Sequence, residues 1–267
     1  MVITTGSIAF IGLGLYSEKG MSIHALEKAR AADEVFLEGY TSLLPGFSLR
    51  SLEDMIGKRV IALGRSAVED GSIILSAASS KDVAFLVAGD PFVATTHVDL
   101  RIRAMKRGIR VEVLNAPSII SVAPGALGLQ NYKFGKSATI TFPDNPSDAP
   151  YDALRLNKAA GLHTLFFLDL RAEEGRFMSA GEGLRLLLDA ERRLMGGIFG
   201  EGALVAVLAR AGGPQQLTVA GTAGELAARD YGPPPHCVVV PGKLHFLEAE
   251  ALSLFAGADE ELLRRNM

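Results

Sequence analysis

Two glycine turns stand where short apolar runs end. Gly12-Leu13-Gly14 follows the run Ser7 to Gly12, and Gly89-Asp90-Pro91 follows Val83 to Ala88. Glycine lets a backbone approach a ligand closely, and a carboxylate at the carboxyl end of a strand can accept hydrogen bonds from a hydroxyl or amino group. The first turn sits where a dinucleotide-binding loop would, yet a full G-x-G-x-x-G pattern needs glycine at position 17, which is Ser17. A plain tight turn is the alternative there, and a helix-cap or turn role is the alternative for Asp90. Leu168-Asp169-Leu170 and Ala209-Arg210-Ala211-Gly212-Gly213 also follow apolar runs, and each reads as a pocket-lining loop or as a turn. His24, His97, His163, His236 and His245 show no metal-ligand spacing, so no metal centre is expected. No G-x-S-x-G elbow is present, and Cys237, within a CVVV run, reads as a buried inert thiol.

The elements that must hold these turns are short apolar runs alternating with helical spacing. Ser7 to Gly12, Glu34 to Leu37, Val60 to Leu63, Val83 to Ala88 and Val111 to Leu114 read as strands of βαβ units. Ser22 is expected to cap a helix to Ala32 with Ile23, Leu26 and Ala29 on its apolar face. Val98, Ile102 and Met105 show the same spacing on a later helix, for which Thr95 and Thr96 are the expected caps. The second half has more separated β-like runs at Ser137 to Phe142, His163 to Leu170, Leu204 to Leu208, Leu217 to Ala220 and Cys237 to Val240, with helices at Ala180 to Leu194 and Leu244 to Phe255. The expected organisation is an N-terminal α/β domain over 1–114, a joint over 115–130 and a C-terminal α/β domain over 131–267, with a ligand cleft beside the joint.

Composition narrows the partners. The chain has 267 residues, 48% of them hydrophobic, and a formal charge of -3, so no overall field draws in nucleic acid or an anionic membrane. A single cysteine removes any disulfide framework within the chain. The uncharged stretch from Val113 to Tyr132 is interrupted by Pro117, Pro124, Gly125 and Gly128, which suits a connection with a short buried helix better than a membrane span. The N-terminus shows no basic leader, and a cytoplasmic protein is expected.

Taken together, IGLGLY, ADEVFLEGYTSLLPG, VAGDPFVATTHVDLRIRA, NAPSIISV, YKFGKSATI, HTLFFLDLRAE, LVAVLARAGG and PPPHCVVVPGKLHFLEAE resemble the diphthine synthase family, which has the two-domain tetrapyrrole-methylase-like α/β fold, a class III methyltransferase architecture. GLG and GDP alone indicate only the wider fold, whereas Thr95-Thr96-His97, Tyr132 to Lys136 and Pro241 to Glu248 resemble the diphthine synthase branch. The resemblance implies S-adenosylmethionine bound in the interdomain cleft and converted to S-adenosylhomocysteine. It implies repeated N-methylation, to the trimethylated state, of the 3-amino-3-carboxypropyl group on a modified histidine of translation elongation factor 2, by a homodimer. Cofactor contacts implied by the resemblance fall at Leu15, Asp90, Val93, Ser118 and Ile119, and in the C-terminal domain at Leu168, Ala211 and His236.

A sulfonium methyl is already activated, so the protein has chiefly to align the reactants, and no side chain is assigned as a catalytic base. Tyr40, Phe92 and Tyr132 are aromatic faces that could favour a quaternary nitrogen. The rival readings are a precorrin or uroporphyrinogen methyltransferase of the same fold, which needs basic groups for macrocycle carboxylates, a dinucleotide-dependent oxidoreductase, and a catalytically silent interaction protein.

Overall fold

The structure is a computed structural model that describes residues 5–40 and 42–267. The reading of a leaderless terminus rests partly on residues 1–4, and one string of the resemblance includes Thr41; these lie outside the described residues. One compact unit runs to Ser118 and takes in Arg171–Gly175, and the other comprises Ile119–Leu170 and Arg176–Met267.

The first unit is built on five parallel strands: β1 (Ser7–Gly12), β2 (Glu34–Glu38), β3 (Ile61–Leu63), β4 (Asp82–Val87) and β5 (Arg110–Leu114), in the order β3-β2-β4-β1-β5. Burial on both faces explains why these strands read as continuous apolar runs rather than alternating ones. Ile8, Phe10, Phe36 and Phe85 pack into one face cluster, while Ala9, Ile11, Val35, Leu37, Ala84 and Leu86 pack into the other. The connecting helices are α1 (Ile23–Ala31), α2 (Leu49–Ile56), α3 (Arg65–Asp70), α4 (Ser72–Ala78) and α5 (His97–Lys106).

Ser22 caps α1 as expected, accepting from Ala25 N–H. The buried faces of α1 and α5 differ from the sequence reading. Ile23 is 78% exposed while Ala25 and Ala29 are buried, and on α5 Val98, Ile102 and Met105 face solvent while His97, Leu100 and Ala104 face the core. Alanines allow each helix to approach the sheet closely, and His97 is drawn inward by a bond to the Pro91 carbonyl. The expected caps of α5 also differ. Thr96 makes no side-chain cap bond, and the Thr95 hydroxyl donates instead to the Pro91 carbonyl at 2.7 Å, tying down the GDP loop rather than the helix end.

The second unit holds α6 (Ile119–Leu127), β6 (Ala138–Ile140), α7 (Ala149–Ala159), β7 (Thr164–Leu168), β8 (Leu170–Arg171, which ends at the first residue of the 171–175 segment), β9 (Arg176–Phe177), α8 (Ala180–Leu194), β10 (Leu204–Ala209), β11 (Leu217–Thr222), α9 (Ala223–Ala228), β12 (His236–Val240), α10 (Phe246–Ala256) and α11 (Glu260–Arg264). Its main sheet runs β11-β10-β12-β7-β6, antiparallel except for β6 beside β7. The long run expected from His163 to Leu170 breaks at Asp169, whose carboxylate accepts from Phe142 N–H and whose own N–H donates to the Ile140 carbonyl. The uncharged stretch expected to hold a short helix does so in α6, and no helix among the described residues is long and apolar enough to cross a membrane.

Candidate functional site

In the first unit the glycine turns are laced to each other at the carboxyl edge of the parallel sheet, where open α/β sheets bind ligands. Gly14 N–H donates to the Gly89 carbonyl at 3.2 Å, Gly89 N–H returns a bond to the Gly14 carbonyl at 2.7 Å, and Leu13 N–H donates to Val87. Glycine at position 12 is required by packing, because a Cβ there would lie 2.5 Å from the Gly89 oxygen and 2.7 Å from the Ala116 Cβ. At Gly89 the requirement is conformational: its φ is +69°, and an added Cβ would meet nothing within 4 Å. The space beside the Gly89 main chain is therefore open.

Asp90 is buried, and each of its carboxylate oxygens already holds a bond. Oδ1 accepts from Phe92 N–H at 3.0 Å and Oδ2 from the Asn115 side-chain amide at 2.8 Å. This is the turn role weighed as an alternative, and it also ties the GDP loop to the residues leading towards Ser118. Leu15 and Val93 are half-buried beside these turns and Ser118 is buried, so four of the expected cofactor residues belong to this one unit. Ile119, half-buried, opens α6 in the other unit.

In the second unit the antiparallel pairing of β7, β12 and β10 brings the end of β7, the start of β12 and the end of β10 to one edge of the sheet. Leu168, His236 and Ala211 thus share an edge, though they are far apart in sequence. His236 is paired with Ala209. Its Nδ1 accepts from Ala180 N–H at 3.2 Å, so its Nε2–H donates to the Pro233 carbonyl at 3.0 Å. Both ring nitrogens are engaged by the chain itself. Beside it, Arg210, held at φ +50°, donates to the carbonyls of Gln215, Tyr231 and Pro233, which shapes the turn that carries Ala211.

The branch-specific strings of the second unit also meet, in a buried network that sequence reading did not foresee. Glu248 is 1% exposed. Its Oε1 accepts from Gln130 N–H and His163 Nε2–H, and its Oε2 from Lys133 Nζ and His245 N–H. His163 Nδ1 accepts from Gly242 N–H at 3.0 Å, which fixes the tautomer that donates to Glu248. Burial pushes the Glu248 carboxyl upward, but the donors around it outweigh burial and hold it down at about 2. The string Tyr132 to Lys136 is held here too, with the Asn157 side chain bonded to both Lys136 N–H and the Lys136 carbonyl.

The three aromatic residues considered for a quaternary nitrogen are differently placed. Arg65 lies over the Tyr40 ring at 5.1 Å and Arg101 over the Phe92 ring at 5.3 Å, while Tyr132 is 75% exposed. Cys237 is buried and its thiol is pushed up to about 12 by burial, in keeping with an inert side chain.

Burial lowers the pKa of His97, His163 and His236 below the ordinary 6.5. The folded state keeps these rings neutral while the unfolded chain takes up protons, so their contribution is fully present above pH 6.5 and is lost as pH falls through the lower folded values. Melting temperature is expected to be flat from about pH 7.5 to 7 and to fall progressively below about 6.5. A melting temperature constant from pH 7.5 to 5 would contradict it.

The family of Tetrapyrrole (Corrin/Porphyrin) Methylases matches residues 7–227. The diphthine synthase of Methanocella arvoryzae is 49% identical over 254 residues, covering 94% of this chain and 98% of that relative. The diphthine synthase of Methanocaldococcus jannaschii is 46% identical over 246 residues, covering 90% of this chain and 95% of that one. A crystal structure of a diphthine synthase superposes with a TM-score of 0.88 at 37% identity, covering 96% of this chain and 98% of the other. The α/β fold, the glycine turns and near-full-length similarity agree: this chain belongs to the diphthine synthase family of the tetrapyrrole methylase fold.

Proposed function

We infer that the protein is a diphthine synthase: a methyltransferase that uses S-adenosylmethionine to methylate, repeatedly, the amine of a modified histidine on translation elongation factor 2. The observation that carries this reading is similarity to diphthine synthases at 40–49% identity across at least 90% of this chain, which favours it over a tetrapyrrole methyltransferase of the same fold. The cofactor contacts proposed are Leu15, Asp90, Val93 and Ser118 of the first unit and Ile119, Leu168, Ala211 and His236 of the second. The open space beside Gly89, where an added Cβ meets nothing, fits a ligand held largely by backbone groups.

S-adenosylmethionine supplies an activated methyl group when bound. The protein's own part is positioning: the Gly14–Gly89 lacing and the Asp90–Asn115 bond fix the main chain that faces the ligand, so little reorganisation remains at the moment of reaction. An amine must be unprotonated to attack, and a site that excludes water disfavours its charged form. The reading includes a homodimer acting in the cytoplasm. The exposed apolar residues Phe246, Leu247, Leu254 and Phe255 on α10 support a covered face.

The test is mass spectrometry of elongation factor 2 carrying the unmethylated amine, incubated with protein and S-adenosylmethionine. Stepwise gain of methyl masses is expected only when both are present. No gain on that substrate, with turnover on a tetrapyrrole, would reassign the protein to the alternative.

A further inference from the structure

Arg210 follows the end of β10 at φ +50°, a left-handed conformation that strains a residue with a side chain and that glycine adopts freely. Gly212 and Gly213 stand just beyond it, so the strain falls on an arginine in a turn that is not short of glycine. The side chain shows what offsets it. Arg210 is 8% exposed, and it pairs with no carboxylate among the described residues. Instead Nε–H donates to the Gln215 carbonyl at 3.0 Å, and Nη1 donates to the carbonyls of Tyr231 at 2.6 Å and Pro233 at 2.7 Å. One planar fork thus ties the turn after β10 to the segment leading into β12, which the single ammonium of a lysine would not span. The Arg210 main chain is engaged as well, its N–H donating to the Pro235 carbonyl at 2.9 Å and its carbonyl accepting from Gly213 N–H at 3.2 Å.

Ala211 is the residue this bracing leaves over. It is 7% exposed, yet neither its N–H nor its carbonyl is bonded to any described residue, while the next N–H, of Gly212, donates to Gln216 Oε1 at 2.8 Å. Buried main-chain groups are nearly always paired, and a buried donor or acceptor left unmade is costly. A donor and an acceptor free on one buried residue call for a ligand edge that carries an acceptor beside a donor. In S-adenosylmethionine the adenine has such an edge, where a ring nitrogen adjoins the amino group, whereas the carboxylate only accepts and the ammonium only donates. The ribose hydroxyls adapt to either role and would not tell one base from another. Arg210 also reaches His236, because the Pro233 carbonyl that accepts from Nη1 accepts from His236 Nε2–H too.

We propose that Arg210 is a positioning residue of the cofactor site: its grip on the Gln215, Tyr231 and Pro233 carbonyls holds the Ala211 main chain to the adenine edge of S-adenosylmethionine. The proposal rests on the function inferred above, and it goes past the contact at Ala211 to the side chain that makes that contact selective.

The discriminating ligands are S-adenosylhomocysteine and S-inosylhomocysteine, in which an oxygen acceptor replaces the amino group. The unmutated protein is expected to bind the inosyl compound at least tenfold more weakly. Arg210→Lys, which keeps the charge and loses the fork, is expected to bind S-adenosylhomocysteine at least tenfold more weakly per folded molecule and to bring the two affinities within threefold of each other. Its KM for S-adenosylmethionine should rise with that loss, while its KM for elongation factor 2 bearing the amine stays at the wild-type value. A residue that only braced the fold would lower the melting temperature and leave the ratio of affinities as in the wild type, and that result overturns the proposal. Should Arg210→Lys fold poorly, the unmutated protein decides: deuterium exchange at Ala211 N–H and Arg210 Nε–H is expected to slow together, at least tenfold, when S-adenosylhomocysteine binds. Slowing at neither group, or at Ala211 alone, overturns the proposal, as does equal affinity of the unmutated protein for the two ligands. Absence of any S-adenosylhomocysteine binding would instead overturn the function on which it rests.

Discussion

Replacing Glu248 by alanine is expected to lower stability by about 3–5 kcal/mol, the range for removing one partner of a buried charged network. Four donors converge on that carboxylate: two backbone N–H groups, the His163 ring and the Lys133 ammonium. Lys133, 20% exposed, can turn to solvent, but His163 and the backbone groups of Gln130 and His245 cannot follow it. Each buried donor left unpaired costs about 1–3 kcal/mol, so the sum reaches the same range. For a chain of this size that is a fall of roughly 6–20 °C in melting temperature. Glu248→Gln preserves shape, yet its amide nitrogen must face donors on one side, so an intermediate loss is expected. A glutamine variant melting with the wild type would mean the network is dispensable. The acid limb adds a second check. Because the folded carboxyl lies at about 2, below its ordinary 4.5, its contribution is present above pH 4.5 and disappears as pH falls towards 2. In Glu248→Gln that window flattens, whereas the histidine window below 6.5 loses at most the His163 share.

The second large effect separates the two glycines of the site. Gly12→Ala forces a methyl against the Gly89 oxygen at 2.5 Å, and that oxygen is pinned by Gly14 N–H. Both turns must shift, so a stability loss of about 1–3 kcal/mol is expected, together with at least a tenfold loss of S-adenosylhomocysteine affinity. Gly89→Ala meets no clash, and its left-handed φ of +69° costs about 1–2 kcal/mol. Its new methyl projects into the open space where the cofactor is proposed to lie, so affinity should again fall at least tenfold. Binding titrations paired with urea melts check this. Unchanged affinity in Gly89→Ala would remove the GDP turn from the cofactor site.

The sequence by itself carried the strands of the first unit nearly to their ends, because a parallel sheet buried on both faces demands uninterrupted apolar runs, and β1 and β4 show them. It also carried the turns, since glycine and proline mark where a chain reverses, and the family, since motif order survives without coordinates. Helix faces were not readable in the same way. In α5 the larger apolar residues Val98, Ile102 and Met105 match helical spacing, yet the buried side is His97, Leu100 and Ala104, because close packing on a sheet selects small side chains and a histidine with a local partner. The partners of polar groups likewise came only with tertiary structure. The bond that Asp90 accepts from Asn115, 25 residues on, has no local signature. Glu248 gathers donors from Gln130, Lys133 and His163 across more than 80 residues, and His97 at the start of α5 comes within 3.8 Å of Glu38 at the end of β2. A local pattern records which residues prefer burial, but hydrogen bonds and ion pairs depend on distances of a few ångströms that chain topology alone sets.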